Sequence, residues 1–207
     1  MSHETFSYRQ EIYRKLLHLT SLWIPGALYL FDRSAAALLI GLAFVAVVLF
    51  EIIRRQSHAL SALVNASFGF IVRETESAHS LRFTGAFYML AAALAVCLLF
   101  PRSIAITSLC IMLIADTAAA LIGRRYGFVT LLDKSLEGTT AFLITSLLIV
   151  IMLFCVFRNE PRFMVAGMIS AFVATLAELI SSRLHLDDNL SITLSAASTM
   201  FVIMHGL

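Results

Sequence analysis

The stretch SIAITSLCIMLIADTAAALIG, residues 103–123, decides the fold class. It has the length an α-helix needs to cross a hydrocarbon core of roughly 30 Å, and its single ionisable side chain is Asp116. Working outward, comparable apolar runs recur at about 16–31, 35–53, 84–100, 139–157, 163–182 and 190–206. The chain of 207 residues is 60% hydrophobic and 14% charged, with a mean hydropathy of +0.91, so it carries too few charges to cover a water-exposed surface. These features predict an all-α, polytopic membrane helix bundle of about seven transmembrane helices. A single integral membrane domain over 1–207 is expected, with a cytoplasmic or interfacial segment at 1–15 and a cytoplasmic amphipathic loop at 54–83. No repeat, low-complexity tract or linker marks a second domain. The first apolar run contains Pro25 and lacks a small-residue cleavage site, so a removable signal peptide is not expected.

Charge narrows the function classes. Lys+Arg 15 against Asp+Glu 13 gives a net charge of +2 with no basic run, which offers no electrostatic footprint for nucleic acid. Cys97, Cys110 and Cys155 lie singly in apolar runs, a pattern of packing and not of metal binding or disulfides. Orientation follows from Lys and Arg near span ends. Arg9, Arg14, Lys15, Arg54, Arg55, Arg73, Arg82, Arg124, Arg125, Lys134 and Arg183 fall on one side, against Arg33, Arg102, Arg158 and Arg162 on the other. The richer side is expected to be cytoplasmic, with the N-terminus there, as in a bacterial inner membrane or an ER-type membrane. In the 54–83 loop, Leu60, Leu63, Val64 and Phe68 at helical spacing fit an interfacial helix or one docked on the bundle.

Ionisable groups inside spans are costly and mark functional sites by default. Asp116, Glu178, Glu51 and His18 are such groups, and all four are expected toward the cytoplasmic side. Asp116 shares a face with Ala119, Ala120 and Gly123, and Glu178 lies among Ser170, Ala174, Ala177 and Ser181, so both carboxylates sit in small-residue stripes where helices approach closely. The segment Gly123-Arg124-Arg125-Tyr126-Gly127, followed by Lys134-Ser135-Leu136-Glu137-Gly138 at a helix start, has the makings of a phosphate cradle. It lacks the P-loop order. Asp187-Asp188-Asn189 supplies hard oxygen ligands suited to Mg²⁺ beside phosphates, with helix capping by Asp188 or Asn189 as the plain alternative. Acids for a metal together with bases for phosphates indicate phosphoryl or nucleotidyl transfer at the membrane surface.

Arg14-Lys15-x-x-His18, the block from Asp116 to Gly127, Lys134-Ser135-Leu136-Glu137-Gly138 and Asp187-Asp188-Asn189-Leu190 stand in an order that resembles a family of CTP-dependent lipid kinases. That family comprises dolichol or polyprenol kinases, phytol kinases and the fungal-type diacylglycerol kinase, and the resemblance runs from about residue 11 to 195. It implies transfer of the γ-phosphate of CTP to the hydroxyl of a membrane lipid alcohol with a divalent metal, Mg²⁺. The more distantly similar CDP-diacylglycerol synthases, which transfer CMP to phosphatidate, end their signature in Pro-Gly-His-Gly-Gly, whereas Leu190 here precedes Ser-Ile-Thr-Leu. Kinase relatives often carry Pro where Thr193 stands.

On that reading Asp116, Lys134 and Glu178 are the expected catalytic residues, with Glu178 taking the lipid hydroxyl proton. Asp116, Asp187 and Asp188 are the expected metal ligands. Arg14, Lys15, His18, Gly123, Arg124, Arg125, Gly127, Ser135, Glu137 and Gly138 are expected to bind nucleotide or substrate. The alternatives are a phosphatidate cytidylyltransferase and, since intramembrane acids also serve transport, a small transporter, although inverted repeats and broken helices are not evident. The lipid alcohol and the oligomeric state stay open, a homodimer included.

Overall fold

The apolar runs fold as helices, as expected. The computed structural model describes residues 8–57, 83–157 and 160–206. The segment bearing Leu60, Leu63, Val64 and Phe68, with Arg73, Arg82 and Arg158, lies outside the described residues. In chain order the elements are α1 (Tyr8–Thr20), α2 (Trp23–Leu30), α3 (Arg33–Gln56) and α4 (Gly85–Leu99). Then come α5 (Arg102–Tyr126), a hairpin of β1 (Thr130–Leu131) and β2 (Lys134–Ser135), α6 (Leu136–Phe157), α7 (Pro161–Ser181) and α8 (Asp188–His205).

Four of these helices, α3, α5, α6 and α7, are long and apolar enough to cross a membrane. α4 has 15 residues and α8 has 18, and the run at 16–31 is not one helix. It breaks between Thr20 and Trp23 because Pro25 has no N–H for the carbonyl of Ser21, which accepts instead from Ile24 at 2.9 Å. The break frees α1 to take its own direction and lie against α5.

α5 is the centre of the bundle: 78% of its most apolar stretch is buried, against 17% for α3. Ile104, Leu109, Ile111 and Leu113 of α5 are enclosed by Ile24, Ile40, Val96, Phe142, Phe163 and Ile192 from the surrounding helices. α5 with α6 and α7 with α8 form the two most extensive pairs. Leu38, Leu42, Val45 and Leu49 on the outer face of α3 are exposed, as lipid contact requires. Close approach of α5 and α6 depends on two glycines: a Cβ on Gly138 would lie 2.9 Å from the Ala119 carbonyl oxygen and 3.2 Å from Gly123 Cα.

At the end away from the hairpin, arginines close helix C-termini. Arg33 Nε donates to the Cys97 carbonyl at 2.9 Å, Arg102 donates to the carbonyls of Leu28 and Tyr29, and Arg162 Nε donates to that of Ile203 at 3.1 Å. Each carbonyl belongs to the last turn of a neighbouring helix, where the helix itself offers no donor.

Candidate active site

Asp116 ends a π-helical turn, Ile111–Ala115, in the middle of α5. A π turn inserts an extra residue into the ladder and rotates everything after it, and such turns are frequent at functional sites. Opposite it, α1 presents Glu11, Arg14, Lys15 and His18 at i, i+3, i+4 and i+7, a polar stripe facing inward. Lys15 Nζ donates to Asp116 Oδ2, with both residues buried, and His18 Nε2 lies 3.7 Å from the same oxygen. Glu11, also buried, accepts from Arg14 Nη2 at 2.5 Å and lies 3.7 Å from Arg124 Nε. Glu11 is not among the residues expected from the sequence, although its place in the stripe is a signal that would find it.

A second cluster forms where β2, α7 and α8 meet. Lys134 Nζ donates to Glu178 Oε1 at 2.6 Å and to Asp188 Oδ2 at 3.3 Å, while Ser181 Oγ donates to Asp188 Oδ1. Burial opposes the charge of Lys134, but Asp188 and Glu178, with Asp116 beyond, outweigh it and hold the ammonium above the ordinary lysine range. Glu178 Oε2 is buried without a hydrogen-bond partner, as are His18 Nε2 and Thr139 Oγ1. Helical threonines such as Thr107, Thr117, Thr140, Thr175 and Thr193 donate to the carbonyl four residues back. Thr139 makes no such bond.

Both clusters line one cleft of about 940 Å³, open at the hairpin end of the bundle. The cleft brings together the expected Arg14, Lys15, His18, Asp116, Gly123 and Arg124 with Lys134, Ser135, Gly138, Glu178, Asp187 and Asp188. Ser135 Oγ accepts from the Gly138 amide at 3.1 Å and so starts α6.

Four expected residues do other work. Arg125 stacks over the rings of Tyr126 and Tyr8. The Gly127 amide closes α5 on the Gly123 carbonyl at 3.0 Å. Glu137 accepts from the Phe128 and Val129 amides at 3.1 and 3.3 Å, tying the hairpin to α6. Glu51, the fourth intramembrane acid, does not line the cleft; it pairs with Arg54 at 2.9 Å and accepts from the amide of Thr84, a cleft-wall residue, at 3.2 Å, tying α3 to the start of α4.

The expected metal ligands Asp116, Asp187 and Asp188 are not gathered into a ready-made cage. Among the described residues no three His, Cys, Asp or Glu side chains converge as metal ligands. Asp116 is committed to Lys15, and Asp187 Oδ1 caps α8 by accepting from the Asn189 amide at 2.9 Å. The cap also explains why α8 starts at Asp188 without a proline at Thr193. Mg²⁺ is commonly held by one or two carboxylates together with substrate phosphates, and Asp188, which lines the cleft, fits such a shared site.

Fold and site thus define a membrane-embedded helical protein with a charged, half-buried cleft at one end of its bundle. The chain is 30% identical over 195 residues to the uncharacterized protein RP860 of Rickettsia prowazekii (strain Madrid E), covering 94% of each, and belongs to one family with it. It is 27% identical over 215 residues, 96% of each chain, to CTP-dependent diacylglycerol kinase 1 of Schizosaccharomyces pombe. It is also 27% identical over 223 residues to the protein of the same name from Eremothecium gossypii, covering 96% of this chain and 69% of that one. These relatives support a CTP-dependent lipid kinase at the level of the family. No family model and no solved structure matches the chain.

Proposed function

We propose that this protein transfers the γ-phosphoryl group of CTP to the hydroxyl of a membrane lipid alcohol, with diacylglycerol the first candidate and polyprenols and phytol-like alcohols next. The observation that carries the proposal is the Lys134–Glu178–Asp188 cluster, which holds a cation and a carboxylate with one unpartnered oxygen together in the cleft. Phosphoryl transfer asks a protein mainly for positioning and charge stabilisation. Lys134, Arg124 and Arg14 supply positive charge for the nucleotide phosphates, and Thr139 Oγ1 is a hydroxyl available to a phosphate oxygen. Glu178 Oε2 accepts the lipid hydroxyl proton as the lipid oxygen bonds to the γ-phosphorus. The bond from that phosphorus to the β-phosphate oxygen breaks, and CDP leaves. A divalent metal, when bound, would neutralise phosphate charge, with Asp188 as its protein ligand beside the nucleotide phosphates. The cleft faces the cytoplasm, where CTP is, in accord with the Lys/Arg bias.

The test is to incubate detergent-purified protein with Mg²⁺ and CTP labelled separately at the α and γ positions, offering diacylglycerol, polyprenol, phytol and phosphatidate. Transfer of γ label to an alcohol is expected. Transfer of α label to phosphatidate, or no transfer by folded protein, would overturn the proposal.

A further inference from the structure

The charged end of the cleft accounts for the nucleotide and leaves open how a lipid tail is accommodated. On the membrane side, the walls are α1 and the start of α4. α1 inverts the usual amphipathic arrangement, since its inner face carries Glu11, Lys15 and His18 while Tyr13, Leu16 and Leu17 on the outer face are 55, 54 and 51% exposed. An apolar outer face of this kind belongs against acyl chains. Across the cleft, the first turns of α4 present Ala86 and Met89, with Ala86 exposed and Met89 buried. α1 leans on α5, whereas α4 leans on α3, α8 and α5, so neither wall rests mainly on the other. Leu17 and Ala86, one on each wall, both line the cleft and are exposed.

We infer that the acyl or prenyl chains of the acceptor leave the cleft sideways between α1 and α4, over Leu17, Ala86 and Met89, while the hydroxyl reaches in toward Glu178. This rests on the lipid-kinase reading above and adds where the tail lies. The passage lets the tail stay in the bilayer during reaction, which removes the cost of drawing a long apolar chain into water. A long-chain acceptor needs this passage, and a short-chain one that fits wholly inside the cleft does not.

Tryptophan at the passage separates the two. Ala86→Trp places a large side chain on an exposed helical position, and Leu17→Trp does the same from the opposite wall. Each protein is assayed for γ-label transfer from CTP to dioleoylglycerol and dihexanoylglycerol, and to a long polyprenol and farnesol. The expected result is at least a tenfold fall in the ratio of long-chain to short-chain rate in both variants. An unchanged ratio in either folded variant, with wild-type protein active, overturns the passage alone. A wild-type protein that phosphorylates none of the four acceptors overturns the kinase reading and the passage with it.

Discussion

Replacing Asp116 by asparagine preserves its shape but leaves the Lys15 ammonium buried without an opposing charge. Breaking a buried pair from one side costs about 3–5 kcal/mol. Asp116→Asn is therefore expected to lower the melting temperature in detergent and, by releasing Lys15 within the cleft, to lower γ-label transfer. Adding Lys15→Met should restore the melting temperature and not the turnover; a fully active Asp116→Asn protein would count against the scheme. Glu178→Gln should cost about 10²–10⁴-fold in kcat, the usual scale for a general base, with the KM for CTP little changed. Glu51→Gln should behave in the opposite way, since Glu51 does not line the cleft and its loss removes the charge opposite Arg54 and weakens the bond to the Thr84 amide: stability falls and most of the activity per folded molecule persists. Asp116 and Glu178 were legible as members of a charged cluster because charge inside an apolar run demands a partner. Glu51 satisfies the same rule through local arginines, so its type and depth in the sequence could not separate it from the other two.

Elements place these side chains. The α5–α6 pair carries Asp116 on one helix and follows Lys134 with the other, and its close contact depends on Gly123 and Gly138. A Cβ on Gly138 would also meet Ser135 Oγ at 2.9 Å, the atom that starts α6. Gly138→Ala is expected to push the helices apart, lower the melting temperature and reduce activity about tenfold, on the scale of small misplacements at a reacting centre; thermal unfolding and the γ-label assay check both. The hairpin shows where pattern reading stops. Its two-residue strands pair Thr130 with Ser135 and Leu131 with Lys134, and the turn holds Leu132 at φ 58°, a left-handed conformation that costs a leucine about 1–2 kcal/mol. Segments this short have no periodicity to read, so the sequence marks this stretch as a charged connection between helices and not as paired strands.

Across the whole molecule, cations at the two ends have different work. Arg33, Arg102 and Arg162 close helix C-termini at one end, while Lys15, Lys134 and Arg124 engage carboxylates lining the cleft at the other. Titration should reflect the second group. Lys134 sits above its ordinary range, so its contribution to stability is full below the ordinary lysine value and is lost as pH rises through the folded one. Burial raises Glu11, but its bond to Arg14 and the nearby cations bring it net below its ordinary range, so its contribution is full above the ordinary value and is lost as pH falls through the folded one. Stability is therefore expected to hold from about pH 4.5 to about pH 10 and to fall on both sides, as read by thermal unfolding in detergent against pH. Sidedness is tested by maleimide labelling of single cysteines in a Cys97→Ala, Cys110→Ala, Cys155→Ser background. Arg125→Cys should react from the cytoplasm and Glu160→Cys from the opposite face.

Apolar length and the scarcity of charge are enough by themselves to determine the membrane-embedded, all-helical class, because a chain of this composition cannot cover itself in water. Intramembrane acids and loop cations likewise marked most of the cleft, since such groups are too costly to keep without partners. Which groups meet depended on tertiary structure. The break at Ser21 and Leu22 turns α1 so that Lys15 reaches Asp116 across 101 positions, and Lys134 is paired with Glu178 across 44. Helical period and hydropathy are local quantities, whereas a pairing between distant charges depends on how whole helices cross, and that is decided by packing.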